Sequence, residues 1–204
     1  MNRTASLWAA GLAGALALSP SSLRAGATVG QPAPSFSAPD ATGAERSLAS
    51  YKGKWVVLEW VNHECPFVQK HYGSGNMQKT QKAATAKGAV WLSVSSSAPG
   101  KQGAMDGKLA AKLTGEKGAA PTAVLLDPDG KIGHAYGAKT TPHMFVIDPK
   151  GTVVYAGAID DKPSTDQDDV KTARNFVLTA LDEAMAGKPV TASSTQPYGC
   201  SVKY

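Results

Sequence analysis

Three patterns alternate along this chain, and together they predict an α/β protein. Residues 55–61, Trp-Val-Val-Leu-Glu-Trp-Val, form an apolar, β-branched and aromatic run that reads as a buried strand. Residues 89–95, 122–126 and 143–147 repeat that signature. The last of these passes through the turn Asp148-Pro-Lys-Gly151 into residues 152–159, which predicts an antiparallel hairpin. Ahead of the first strand, residues 36–38 and 46–48 flank Asp40-Ala-Thr-Gly43 and predict a short hairpin.

Helices fit the intervals. One starts at Pro66 and runs about two turns before Gly73-Ser74-Gly75 interrupts it. A second piece, residues 77–87, starts behind Asn76 as N-cap and stops at Gly88. Weaker helical patterns cover residues 105–113 and 132–136. The clearest helix is expected to start at Ser164 or Thr165, with Asp166, Asp168 and Asp169 in its first turn, and to end at Gly187 and Pro189. Its Val170, Ala173, Val177, Ala180, Leu181 and Ala184 share one face, a core-packing stripe. The tail, residues 189–204, shows no periodicity and is expected to lie along the surface as a mobile segment.

Residues 1–27 read as a secretory signal: Arg3, then an apolar core over 7–18, then Ala25-Gly26-Ala27 as a cleavage site. That predicts a domain over 28–188, periplasmic or secreted, with no membrane attachment after cleavage; the alternative reading of the same run is an uncleaved anchor. The net charge is +5, and Arg3 and Arg24 of the leader contribute to it. Lysines and acids are interspersed with no basic stripe, a solvated surface and not a nucleic-acid footprint.

Chemistry concentrates at Cys65. A cysteine directly ahead of Pro66 falls at a helix N-cap, where free backbone N–H groups and the helix dipole favour the nucleophilic thiolate. The chain has two cysteines, and Cys200 lies near its end. In an oxidising compartment the two are either a structural staple or an attacking and a resolving thiol. The staple reading gives a non-catalytic binding module. Asn62, His63 and Glu64 precede the thiol, and Glu64 is expected to point to solvent. His63 is placed to share the thiol's proton, or to join Cys65 and His143 in a copper or zinc site. No metal-spacing motif is present and no cofactor is called for. Thr141-Pro142 leads into the strand at 143–147.

The element order, the Cys65-Pro66 helix start and Thr141-Pro142 before a strand resemble the thioredoxin-like fold, a three-layer α/β/α sandwich around a mixed sheet. Within it, Glu-Cys-Pro-Phe-Val, Thr-Thr-Pro-His-Met-Phe-Val-Ile-Asp and Gly-Cys-Ser-Val-Lys-Tyr resemble the redoxin branch, the alkyl hydroperoxide reductase and thiol-specific antioxidant group. The resemblance implies a cis Pro142 beside Cys65 and an active-site shell of Asn62, His63, Pro66, Thr141 and Pro142. It implies a catalytic pair Cys65 and Cys200, acting on a peroxide or a protein disulfide and re-reduced by an external thiol partner. Val68 replaces the second cysteine of a Cys-x-x-Cys motif, and Glu59 and Asn62 replace the proline and threonine of the peroxiredoxin motif. A peroxiredoxin also uses an arginine at its thiolate; beyond the leader this chain has Arg46 and Arg174.

Overall fold

The computed structural model describes residues 26–204, so the leader read from the sequence lies outside the described residues except for its last two. Five strands form a mixed sheet: β3 (Val56–Trp60), β4 (Val90–Ser95), β5 (Ala123–Leu126), β7 (His143–Ile147) and β8 (Val153–Gly157). Their spatial order is β5-β4-β3-β7-β8, with β3, β4 and β5 parallel and β7 and β8 antiparallel to their neighbours. The three parallel strands are joined by helical crossovers, and the two antiparallel ones by a hairpin, as the connection lengths require. The predicted N-terminal hairpin forms as β1 (Ser37–Pro39) and β2 (Glu45–Ser47).

Alternation in β3 divides the core. Val56, Leu58 and Trp60 face a cluster with Phe36, Tyr51, Leu92, Leu125, Ile132, Tyr136 and Phe145. Val57 and Val61 face the opposite cluster, with Val68, Tyr72, Met77, Trp91, Met144, Tyr155, Val177 and Leu181. The first layer comes from the hairpin and α4 (Lys131–Tyr136). The second comes from α1 (Pro66–Gly73), α2 (Asn76–Ala86) and α5 (Phe176–Met185). Both faces are covered, so the central strands read as unbroken apolar runs. This is the thioredoxin-like α/β architecture expected from the sequence.

The remaining helix, α3 (Gly107–Glu116), begins at Asp106, whose side chain accepts from the Leu109 amide at 2.7 Å. Three expectations need correcting. Gly75, at φ +74°, is the N-cap of α2, and Asn76 lies inside the helix with its side-chain amide on His71 Nδ1. The last helix starts at Phe176, with Asn175 as its cap, accepting from the Leu178 amide at 2.9 Å. The acids ahead of it belong to a separate one-turn 3-10 helix, Asp168–Lys171, with Asp168 and Asp169 in its first turn; Asp166 accepts from the Asp168 amide, and Asp169 accepts from the Ser164 hydroxyl. Such side-chain bonds to nearby backbone compete with helix. Finally, the tail lies along the surface as expected, but not without regular structure: Cys200–Ser201 forms β9, antiparallel to β6 (Thr140–Thr141).

Candidate active site

The site forms where β3 hands the chain to α1. Cys65 takes extended backbone angles (φ −75°, ψ 123°) as N-cap, and Pro66 occupies the first helical turn, where its missing N–H leaves nothing unpaired. The Cys65 side chain is fully buried, 0% exposed, and its sulfur lies 3.0 Å from the Thr141 carbonyl oxygen. The Thr141–Pro142 bond is cis, as the resemblance implies, so β6 and the start of β7 form the wall facing the thiol.

Pairing of Thr141 with Cys200 across β6 and β9 delivers the second thiol to the same point. Both cysteines are free, and Cys200 is half-buried. The two thiols are close enough for each to shift the other's titration. Burial raises the Cys65 thiol, but hydrogen bonds from the Cys200 thiol, the Thr141 side chain and the amides of Val68 and Cys200 outweigh it and bring the pKa below its usual range. The Thr141 carbonyl works against them, because an acceptor favours the protonated thiol. Cys200 is pushed up to about 11, by burial first and then by its hydrogen bond to Cys65 and the negative charge there. One thiol is thereby made the better anion and leaving group, the other the better-protected proton store.

The rest of the expected shell divides. Asn62 is buried and ties loops together: its carbonyl oxygen accepts from the Glu64 amide at 2.9 Å, and its NH2 donates to the Gln102 carbonyl at 3.2 Å. Glu64 does not simply face solvent; its carboxylate accepts from the Gly103 amide at 2.7 Å. A Cβ on Gly103, which sits at φ +80°, would fall 2.1 Å from Asn62, so only glycine lets the loop approach this closely. His63 lines a small apolar cavity of about 40 Å³ with Val61, Val68, Met105 and Leu113, and its buried Nδ1 has no partner.

The suggested copper or zinc site is not assembled: among the described residues, no group of three or more His, Cys, Asp or Glu side chains is placed to hold a metal ion. His143 is buried on β7 with its Nδ1 accepting from the Lys139 amide at 3.3 Å. Neither arginine reaches the thiol. Arg46 pairs with Asp40 at 2.8 Å in the hairpin, and Arg174 lies over the Phe176 ring.

Two polar clusters escaped the sequence reading of the site. Glu59 is fully buried and takes hydrogen bonds from Tyr72 Oη (2.9 Å), Gln81 Nε2 (3.2 Å), Trp91 Nε1 (2.8 Å) and Ser93 Oγ (2.8 Å). Burial still outweighs these four donors and raises its carboxyl above the usual range. The only signal in the sequence was a lone acid in an apolar strand. The second cluster is His71 on α1 with Asp160, Asn76 and Tyr198.

The sequence profile of the AhpC/TSA family matches residues 29–156, which include the sheet strands β3, β4, β5 and β7 and the whole Cys65 helix. No curated protein matches the sequence. Among solved structures, the fold is similar to a hypothetical protein of Sinorhizobium meliloti (23% identity, TM-score 0.72, 87% of this chain and 94% of that one). It is equally similar to an uncharacterized conserved protein of Geobacillus kaustophilus (23%, TM-score 0.73, 87% and 92%). It also resembles the thioredoxin domain of a thiol-disulfide oxidoreductase of Bacteroides vulgatus (22%, TM-score 0.51, 71% and 96%). A profile spanning more than half of the chain and running through the cysteine-bearing strand–helix junction leaves one conclusion: the chain belongs to the AhpC/TSA family.

Proposed function

We propose that this protein is an exported thiol–disulfide oxidoreductase in which Cys65 is the nucleophile and Cys200 the resolving thiol. The observation that carries the reading is the delivery of Cys200 by β9 onto a helix-capping cysteine whose pKa is lowered. Export rests on the leader read in the sequence, which places the protein in the periplasm or outside the cell; no helix among the described residues is long and apolar enough to cross a membrane.

In the reaction, the Cys65 thiolate attacks one sulfur of a substrate disulfide. The substrate S–S bond breaks, a Cys65–substrate disulfide forms, and the departing thiolate takes up a proton. Cys200 then loses its proton and attacks the Cys65 sulfur. The second substrate thiolate leaves, and the protein holds a Cys65–Cys200 disulfide. The substrate has gained two electrons, the protein has lost two, and an external thiol reductant restores both cysteines. Asn62, Pro66, Thr141 and Pro142 hold the walls of this site. Thr141 contributes backbone on the edge that β9 now occupies.

Family membership favours a second substrate, a peroxide, attacked at oxygen to give a sulfenic acid that Cys200 condenses to the same disulfide with loss of water. Two features support the disulfide over the peroxide: neither arginine lies at the thiol, and Asn62 is turned to the loop carbonyl of Gln102. Stopped-flow reaction of the reduced protein with hydrogen peroxide and with a peptide disulfide tests the choice. Disulfide exchange faster than peroxide reduction, abolished by Cys65→Ser, is expected. Rapid peroxide consumption with trappable sulfenic acid in Cys200→Ser would establish the peroxidase instead.

A further inference from the structure

The C-terminal segment docks through an aromatic anchor two residues before Cys200. Tyr198 Oη donates to Asp160 Oδ1 at 2.5 Å and lies 3.0 Å from His71 Nε2. The Asn76 side-chain NH2 donates to His71 Nδ1 at 2.8 Å, which fixes the imidazole as the Nε2–H tautomer and makes it a donor to the phenol. The Tyr198 ring packs edge-on against Phe67 at 5.8 Å, and the Lys70 ammonium lies 5.8 Å from its centroid. His71 and Asp160 are 0% and 2% exposed, so the phenol closes a buried polar socket that water would otherwise have to fill. Phe67, Lys70 and His71 all belong to α1, the helix that Cys65 caps.

The same helix therefore carries the nucleophile at its start and the socket for the tail along its body. Gly199 between the two is at φ +135°, and a Cβ there would fall 2.1 Å from the Thr141 carbonyl oxygen, so the chain runs flush against the cis-proline wall from Tyr198 to Cys200. Beyond Cys200, anchoring is on other elements: the Val202 amide donates to the Lys139 carbonyl, the Ala98 amide donates to the Lys203 carbonyl, and Tyr204 stacks on His134 while its Oη donates to the Ala138 carbonyl. Tyr204 is also the one large apolar side chain left exposed among the described residues, at 38%.

We propose that Tyr198 is a positioning residue for the thiol pair: held by His71, Asn76 and Asp160 on the Cys65 helix, it seats Cys200 on Cys65 and covers the nucleophile. This rests on the pair being redox-active as argued above. A docked strand makes Cys200 a high effective concentration for Cys65, and an undocked one leaves it on a flexible tether. Tyr198 and Cys200 pack against the same core cluster as the fully buried Cys65, so the segment that carries the resolving thiol contributes to its cover.

The test uses the full chain with Tyr198→Phe, Tyr198→Ala and, for comparison, Tyr204→Ala. The first readout is the equilibrium between the Cys65–Cys200 disulfide and a glutathione buffer. Tyr198→Ala is expected to lower the equilibrium constant at least tenfold, about 30 mV for a two-electron couple. Tyr198→Phe, which keeps the ring and loses the hydroxyl, should fall between it and wild type, and Tyr204→Ala should stay within about threefold. The second readout is alkylation of Cys65 by iodoacetamide in a Cys200→Ser background, expected to accelerate at least tenfold with Tyr198→Ala. A purely structural tyrosine would lower the melting temperature and leave both readouts near wild type, and that result overturns the proposal. If wild-type protein forms no Cys65–Cys200 disulfide in any glutathione ratio, the oxidoreductase reading falls. The alkylation rates then still decide whether Tyr198 holds the cover.

Discussion

Acid should destabilise this protein through two buried histidines, and His143 allows the size to be worked out. It is 6% exposed, follows Pro142, packs on Phe145 at 4.5 Å and accepts from the Lys139 amide through Nδ1. Burial first, and then the charge of Lys139, push its pKa down from 6.5 to about 4. Between those values the folded protein binds fewer protons than the unfolded chain, so stability is complete above pH 6.5 and falls as the pH is lowered towards 4. The relation gives a loss of about 2 kcal/mol at pH 5 from this residue and about 3 kcal/mol at the limit. His71, also pushed down to about 4 by burial although Asp160 opposes the shift, contributes in the same direction. Glu59 and Asp127, whose carboxyls burial raises, act with the opposite sign in this window, and Asp40, lowered to about 2, titrates below it. The informative quantity is thus the difference between wild type and His143→Asn. The asparagine oxygen can accept from the Lys139 amide but cannot be protonated. Urea unfolding at pH 7 and pH 5 should show the variant losing about 2 kcal/mol less than wild type over that interval. Parallel losses, within about 0.5 kcal/mol, would refute the assignment of a depressed His143 and the linkage built on it.

Two further substitutions probe the site's framework. Gly199→Ala introduces a Cβ against the Thr141 carbonyl at a backbone angle that L-residues rarely adopt; it should cost about 1–3 kcal/mol and raise Cys65 alkylation, read by urea unfolding and by thiol labelling. Glu59→Gln turns an amide NH2 towards donors that now bond a carboxyl, and should lower stability by about 1–3 kcal/mol in the same unfolding assay at pH 7, with Cys65 still able to exchange disulfides.

What the sequence makes legible here is what local chemistry decides. The strand at 55–61 and the helix start at Cys65-Pro66 are visible because an apolar run and an N-terminal proline each act within a few residues. Both core faces follow from alternation in β3. The start of α5 was misplaced because Asp166, Asp168 and Asp169 suit a helix N-terminus as well as a chain of side-chain turns, and the choice falls to Asn175, which also donates to Thr80 on α2. The tail was missed for a similar reason. A two-residue strand has no period, and what seats it is Thr141 far upstream and a tyrosine socket drawn from α1, α2 and the segment after β8. Nothing in the sequence marks His71 and Asp160 as buried, because burial of a polar side chain is decided by its partners, which lie far away in sequence. The thiol was legible, but its cover was not.

The central claim is that Cys65 and Cys200 exchange electrons as a pair, with Cys65 the sulfur that meets substrate. Mass mapping of the reduced protein after a single turnover with a peptide disulfide addresses this directly. Wild type should end as an intramolecular Cys65–Cys200 disulfide with two peptide thiols released, and Cys200→Ser should stop as a peptide adduct on Cys65. A peptide adduct on Cys200 in Cys65→Ser that forms as fast as the wild-type reaction, or no adduct on Cys65 at all, would contradict the account.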